Sequence, residues 1–281
     1  MPKVSVLMPV YQTDEAYLRQ AIQSILNQTF SDFELLILDD CPSNSREQIV
    51  RSFTDLRIRY QKNPKNLGIS ATRNRLLDLA KGDYFAVMDH DDIAMPTRLA
   101  CQVRVLDNNP DIGVVGCWIE QFPKFKIVCW PESHMAIESY LMQGCAIPHT
   151  GAMIRKSALQ GARYDAAFSP AEDYHLWCQL LGKTHFYNIP QVLMRYRWYE
   201  GNTSKKQARK MYQASVCTQH WVHTRHPDIW VRTRDQATYI VRFKLFGLIP
   251  LGRMRQVGQH RPHWLHFLPF ITTKAKLEVL V

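Results

Sequence analysis

An apolar strand that runs straight into carboxylates is costly unless those charges are used, because neighbouring acids repel and disfavour one another's ionisation. This chain of 281 residues does so twice: Phe33–Leu38 ends in Asp39-Asp40, and Tyr84–Met88 ends in Asp89-His90-Asp91-Asp92. A third apolar run, Lys3–Val10, closes on Pro9-Val10-Tyr11. Helical patterns separate these runs. Leu18, Ala21, Ile22, Ile25 and Leu26 share one helical face behind an N-cap candidate at Thr13 or Asp14. Ser43 or Asn44 is placed to cap a helix reaching about Phe53, and Arg57–Gln61 alternates like a strand. Ile69–Lys81 reads as a helix stopped by Gly82, and Pro96 opens another that runs to about Asn108. Strands alternating with such helices predict βαβ units and a mostly parallel sheet. Ligands of open α/β sheets bind beyond the carboxyl ends of the strands, so the three strand ends should meet at one crevice.

From about Ile112 the rhythm becomes mixed, with strands expected at Ile112–Trp118, Met153–Arg155 and Val192–Trp198 and helices at Ile137–Met142 and Glu172–Leu181. The expected organisation is an α/β domain over 1–204, divided into halves 1–111 and 112–204, followed by a separate segment 205–281. Charge draws that last boundary. Residues 1–204 carry 21 basic and 22 acidic side chains, whereas 205–281 carry 14 and 3, which is the whole of the +10 net charge. The aromatics Trp221, Trp230, Tyr239, Phe243, Phe246, Trp264, Phe267 and Phe270 lie among those cations. That mixture predicts peripheral contact with an anionic membrane. Histidines 220, 223, 226 and 260, 263, 266 recur in threes without acidic or thiol partners, and read as surface residues rather than a metal site. A rival reading makes the tail a nucleic-acid module on an inactive scaffold, but no recognition motif accompanies it and the carboxylates would be left without purpose. No apolar run approaches the roughly 20 residues of a membrane span. The amino terminus enters a strand with no secretory pattern, and seven cysteines without a Cys-x-x-Cys pair predict reduced thiols and a cytosolic chain.

Carboxylate oxygens at the end of a rigid strand suit a hard divalent ion, Mg²⁺ or Mn²⁺, completed by water and substrate phosphates. No Gly-x-Gly-x-x-Gly follows the first strand, and neither a P-loop nor a Gly-x-Ser-x-Gly elbow nor a His-Glu-x-x-His pair occurs. Acidic strand ends without a glycine loop point to a sugar nucleotide held through metal-bridged phosphates.

Val4-Ser5-Val6-Leu7-Met8-Pro9-Val10-Tyr11, Ala21–Phe30 and Asp32–Asp40 together resemble family 2 glycosyltransferases of the GT-A fold. Asn66-Leu67-Gly68, Ala71-Thr72-Arg73-Asn74, Met88–Ile93, Pro96-Thr97-Arg98-Leu99, His149, Tyr164-Asp165, Glu172–Trp177 and Tyr196-Arg197 follow in the family's order. The resemblance spans about residues 3–204. It implies that Pro9, Val10, Tyr11 and Asp39 line the nucleoside, with Arg73 nearby, and that Asp89 contacts the ribose and, with Asp91, the metal. It implies that Asp173 is the general base of an inverting transfer, using a nucleotide-sugar donor such as a UDP-hexose or UDP-N-acetylhexosamine. The acceptor it implies is a glycan or lipid-linked glycan of a bacterial lipopolysaccharide or capsule, built at the inner face of the cytoplasmic membrane.

Three departures stand out. Cys41-Pro42-Ser43 replaces a Gly-Ser-Thr/Asp stretch, and His90 sits between the paired acids, where alternation turns it from the metal. Tyr199 stands where the family keeps a histidine, which leaves the third protein ligand open. The Gln-x-x-Arg-Trp motif of processive synthases is absent, which implies one sugar per encounter.

Overall fold

The computed structural model describes residues 1–234 and the backbone of three further strands, 238–245, 249–257 and 271–277. The first half comprises β1 (Val4–Val10), α1 (Glu15–Leu26), β2 (Phe33–Asp39), α2 (Glu47–Arg51), β3 (Ile58–Lys62), α3 (Ile69–Leu79), β4 (Tyr84–Val87), β5 (Ile93–Ala94) and α4 (Arg98–Asn108). The second comprises β6 (Ile112–Phe122), β7 (Lys126–Val128), α5 (His134–Leu141), β8 (Met153–Arg155), α6 (Glu172–Gln179) and β9 (His185–Arg197). Then come α7 (Thr203–Lys206), α8 (Ala208–Arg225), α9 (Pro227–Arg234) and strands β10 (Thr238–Leu245), β11 (Ile249–Val257) and β12 (Ile271–Leu277), which form an antiparallel sheet in the order β11-β10-β12.

The main sheet has the order β3-β2-β1-β4-β8-β6-β9-β5, with β7 hairpinned onto β6. β3, β2, β1 and β4 are parallel, β8 runs antiparallel between β4 and β6, and β9 lies parallel to β6. Period-two alternation sorts the strands' side chains between two cores. Val4, Val6, Met8, Leu35 and Ile37 face α1, α2 and α4, while Leu7, Leu36, Leu38, Phe85 and Val87 face α3, α5 and α6. The result is a three-layer α/β/α body.

Local chemistry sets most boundaries. The Asp14 carboxylate accepts the Ala16 and Tyr17 N–H groups and caps α1. The helix expected from Ser43 or Asn44 to Phe53 is shorter: Asp39 takes the Arg46 N–H and holds Pro42–Asn44 in a single 3₁₀ turn, so α2 starts only at Glu47. Strand β9 extends seven residues upstream of the expected Val192 because the β6 edge offers pairing from His185 onward.

The composition break at 204 is not a packing break. Ala214, Thr218, Val222, Ile229 and Thr233 of α8 and α9 are buried, the first, third and fourth in the same core as Ile137, Leu141 and Trp177. Gln219 Nε2 donates to the Gln143 carbonyl at 2.7 Å, His223 Nε2 bonds the Met142 carbonyl at 2.7 Å, and Arg232 reaches Glu138 at 2.7 Å. Trp221 and Trp230 pack against this core, so the two tryptophans expected at a membrane serve the fold. Tyr239 and Phe243, whose side chains are not described, and Phe246, Trp264, Phe267, Phe270 and the second histidine set lie outside the described residues. All seven thiols are free. We expect Val222→Asp, which buries a charge against α5 and α6, to cost on the order of 3 kcal/mol or more in chemical denaturation; a detachable tail would tolerate it.

Candidate active site

The three strand ends do converge. The Asp40 N–H donates to the Val10 carbonyl at 2.8 Å and the Met88 N–H to the Leu7 carbonyl at 3.0 Å, which stacks the segments after β1, β2 and β4 side by side. At the β1 end Tyr11 is 44% exposed, Pro9 is buried, and the Val10 side chain is a core residue at 1% exposure. The Val10 carbonyl accepts the Asp40 N–H, so this residue's backbone joins the ends of β1 and β2. Asp39 is fully buried, its carboxylate accepting the Cys41 N–H (2.9 Å), the Arg46 N–H (2.6 Å) and the Tyr60 hydroxyl (3.0 Å). It folds the 41–46 loop. Asp40 does the same for the next loop, accepting from Asn63 Nδ2 (2.7 Å), Leu67 N–H (2.8 Å) and Gly68 N–H (2.9 Å). Gly68, at φ +82°, is in the left-handed region that a glycine adopts without steric cost, and α3 starts from it.

Helix α3 then presents Arg73, whose guanidinium joins the two halves of the site. Nη2 lies 3.2 Å from Asp89 Oδ1 and Nη1 2.6 Å from Glu172 Oε1, with the Arg73 side chain only 11% exposed. Burial opposes its charge, but Asp89 and then Glu172 more than offset this and hold its pKa above the ordinary arginine value. His149 Nδ1 sits 3.9 Å from the same Asp89 oxygen, while its Nε2 bonds the Tyr164 hydroxyl at 3.0 Å. Burial holds the imidazole well below its ordinary pKa, so it is neutral beside Asp89 and the contact is not an ion pair. Three polar atoms of this knot, Arg73 Nε, His149 Nδ1 and Glu172 Oε2, are buried without a partner among the described residues. Unpaired buried polar atoms are expensive and mark places that a ligand or water completes.

Asp91 and Asp92 are fixed by the end of β9. Arg197 Nε donates to the Asp91 carbonyl at 2.7 Å, and the Arg197 N–H to Asp92 Oδ1 at 2.8 Å. Asp92 is buried, and burial followed by the charges of Asp91 and Asp89 pushes its carboxyl well above the usual range. The Tyr199 hydroxyl donates to Asp91 Oδ2 at 3.0 Å; burial and the Asp91 charge raise the phenol's pKa and keep it a donor. His90 Nδ1 has no partner among the described residues.

Asp173 opens α6, one residue from Glu172, and its Oδ1 accepts the Tyr174 N–H at 2.7 Å. Position alone does not set its proton affinity: burial first, then the Glu172 charge, pushes the carboxyl up to about 6 against the pull of Arg73. A carboxylate so tuned is ionised at neutral pH and still basic enough to accept a proton in a transition state.

Behind the acidic loop, Arg98 of α4 is completely buried. Its Nη2 donates to the carbonyls of Val87 (2.7 Å) and Ala152 (3.1 Å), and its Nε to Gln102 Oε1 at 3.1 Å. Burial pushes it down to about 10.

Among the described residues no three His, Cys, Asp or Glu side chains converge to hold a metal on their own. Asp89 and Asp91 are nonetheless hard oxygen donors two positions apart at a fixed loop, the set that an ion completed by substrate phosphates requires. The residues fit a Mg²⁺ or Mn²⁺ bound together with a diphosphate. Residues that sequence reasoning left without a role are Asp40, Glu172, His149, Tyr164 and Arg98; each acts through a partner remote in the chain, and no local signal announces that.

The family model described as glycosyl transferase family 2 matches residues 5–161. The chain belongs to that family. It is 32% identical over 240 residues to the uncharacterized glycosyltransferase MJ1057 of Methanocaldococcus jannaschii, covering 80% of this chain and 81% of that protein. It is 31% identical over 214 residues to the O-antigen biosynthesis glycosyltransferase WbnJ of Escherichia coli, covering 72% and 82%. Among solved structures, Staphylococcus aureus TarS 1-349 in complex with UDP-GlcNAc superposes with TM-score 0.68 at 17% identity, covering 83% of this chain and 72% of that one. The mannosyltransferase PcManGT of Pyrobaculum calidifontis, in complex with GDP-Man and Mn²⁺, gives 0.63 at 16%, covering 83% and 68%. The fold is GT-A, and the chain is a glycosyltransferase.

With Asp173 as base, log kcat/KM should fall by about one per pH unit below about pH 6, as the carboxylate takes up its proton. Glu172→Gln removes a repelling charge, so the acid limb should move to lower pH. A limb that stays in place would show that Glu172 does not act on Asp173.

Proposed function

We propose that this glycosyltransferase moves one sugar, with inversion, from a nucleotide-diphosphate donor to a hydroxyl of a growing surface glycan. The observation that carries the reading is the Asp89–Arg73–Glu172 chain beside Asp173: a polar crevice with unpaired buried donors and acceptors, and a carboxylate near neutrality one residue from its wall. The donor is a UDP-hexose or UDP-N-acetylhexosamine, in keeping with the UDP-GlcNAc complex of TarS; the GDP-Man complex of PcManGT leaves guanosine donors as the outcome to test against. The acceptor is a glycan or lipid-linked glycan, in line with the O-antigen relative.

The nucleoside lies against Pro9, Tyr11 and the loop that Asp39 folds, the ribose beside Asp89. Asp89 and Asp91 would hold the divalent ion, Mn²⁺ or Mg²⁺, which supplies Lewis-acid neutralisation of the departing diphosphate. Asp173 takes the proton of the acceptor hydroxyl as that oxygen bonds the anomeric carbon. The bond from that carbon to the phosphate oxygen breaks on the opposite face, and the nucleoside diphosphate leaves with the electron pair. Arg73 keeps an unpartnered Nε–H for the donor and, through Glu172, ties the ribose side of the crevice to the base. No helix among the described residues is long and apolar enough to cross a membrane. Work at the inner face of the cytoplasmic membrane would rest on the cations of 205–281, as peripheral contact.

A thermal-shift panel of nucleoside diphosphates and nucleotide sugars, with and without Mn²⁺, tests the reading. Binding to the native state alone raises Tm, so UDP and one UDP-sugar should stabilise, more strongly with Mn²⁺. Asp91→Ala should abolish the Mn²⁺-dependent part of the shift. Asp173→Asn should keep the donor shift and lose transfer by roughly 100-fold or more; loss of donor binding in that variant would mean that the base is another residue.

A further inference from the structure

The turn that follows β9 is built around one phenol. Tyr199 donates its hydroxyl to Asp91 Oδ2 at 3.0 Å. Its own N–H is taken by Asn202 Oδ1 at 2.7 Å, and Asn202 Nδ2 donates to the Arg197 carbonyl at 3.0 Å, with Asn202 only 5% exposed. A Cβ on Gly201 would stand 2.1 Å from Tyr199 Cε2, 2.8 Å from Cδ2 and 3.0 Å from Cζ, so the ring lies in space that only a glycine leaves. From the other side Tyr17 of α1 meets the ring edge-on at 5.5 Å. Four elements of local structure thus fix a hydroxyl whose one acceptor is a carboxylate oxygen of the acidic loop.

We infer that Tyr199 is a positioning residue of the metal site: it engages one oxygen of Asp91 and leaves the other to face the ion. The inference rests on the reading that Asp89 and Asp91 bind a divalent ion together with the donor diphosphate. Two separate restraints then act on Asp91. Arg197 fixes its backbone through the carbonyl, and Tyr199 fixes the rotation of its carboxylate. A carboxylate held in this way is pre-set for one-oxygen coordination, whereas a free one spends part of its time turned from the ion. Outer partners of metal ligands matter in this manner, their loss typically weakening metal binding by about ten- to a hundredfold.

Three variants of the full chain, Tyr199→Phe, Gly201→Ala and the double variant, test this by titration of Mn²⁺ in the presence of saturating UDP, with free Mn²⁺ read by electron paramagnetic resonance. Tyr199→Phe keeps the ring and its packing and removes only the donor; Gly201→Ala keeps the hydroxyl and displaces the ring. Each should raise the Kd for Mn²⁺ about tenfold, and the double variant should be no weaker than the weaker single one, because both act through the same contact. UDP affinity without metal should be unchanged, which a merely destabilised crevice would not allow. Tyr199→Phe that takes up Mn²⁺ as the unaltered protein does overturns the inference. Unaltered protein that binds UDP yet takes up no Mn²⁺ overturns the metal reading and this inference with it, and the two failures are told apart by that single control.

Discussion

Arg73 is the group on which the geometry of the crevice depends. It leaves α3, in the first half of the chain, and ends between Asp89, at the end of β4, and Glu172, at the start of α6 in the second half. A guanidinium with carboxylates on two of its nitrogens has little freedom to rotate, since movement towards one acid abandons the other. The spacing between the Asp89 loop and the helix that carries Asp173 is therefore held by a side chain as well as by the sheet. His149 and Tyr164, bonded to each other at 3.0 Å, lie beside the same knot, and Asn74, one residue along α3, exchanges both its amide groups with the Tyr164 backbone at 2.8 and 2.9 Å. Helix α3 is fastened at two successive residues to the half of the molecule that carries Asp173.

The sheet supplies the other constraint. Four parallel strands would leave the Asp89 loop as a bare edge, but antiparallel β8 and the β6–β9 pair continue the sheet. β9 then delivers Arg197 and Tyr199 onto the loop from the far side. Arg197 also reaches Gln20 at 2.7 Å and lies 3.9 Å from the Tyr17 ring, so the loop is clamped to α1 as well. Every residue of Asp89–Asp92 that carries chemistry is restrained by a segment more than fifty positions away.

This explains what could be read in the sequence. The strand ends, the caps and the acidic cluster are local patterns: β1, β2 and β4 stand within a residue or so of their expected bounds, and Asp14 caps α1 as its type predicts. Asp89, Asp91 and Arg73 were legible as members of a motif, and the structure brings Arg73 to 3.2 Å from Asp89. What was not legible depends on long-range partners. That Asp39 folds a loop, that Asp92 turns inward, that Val10 belongs to the core and that α8 and α9 cover α5 and α6 all follow from packing. The composition of 205–234 conceals its packing for the same reason. Lysine and arginine on the outer face of a helix reveal nothing about the Ala214, Thr218 and Val222 stripe on its inner face, where three and four residues apart means one side.

Arg98 gives the acidic loop a second significance. Its guanidinium is fully buried among backbone carbonyls, Gln102 and the sulfurs of Met88 and Met194, and burial lowers its pKa by more than Cys117, Asp89 and Asp92, which favour its charge, restore. The acids of the loop are thus also counter-ions for the protein's own interior. In ordinary enzymes a cluster of like charges is tolerated at some expense to folding; here part of that repulsion is cancelled from beneath the site, by a residue no substrate ever meets. The Asp89–Asp92 loop thus has two sets of neighbours, the crevice in front of it and the Arg98 guanidinium behind.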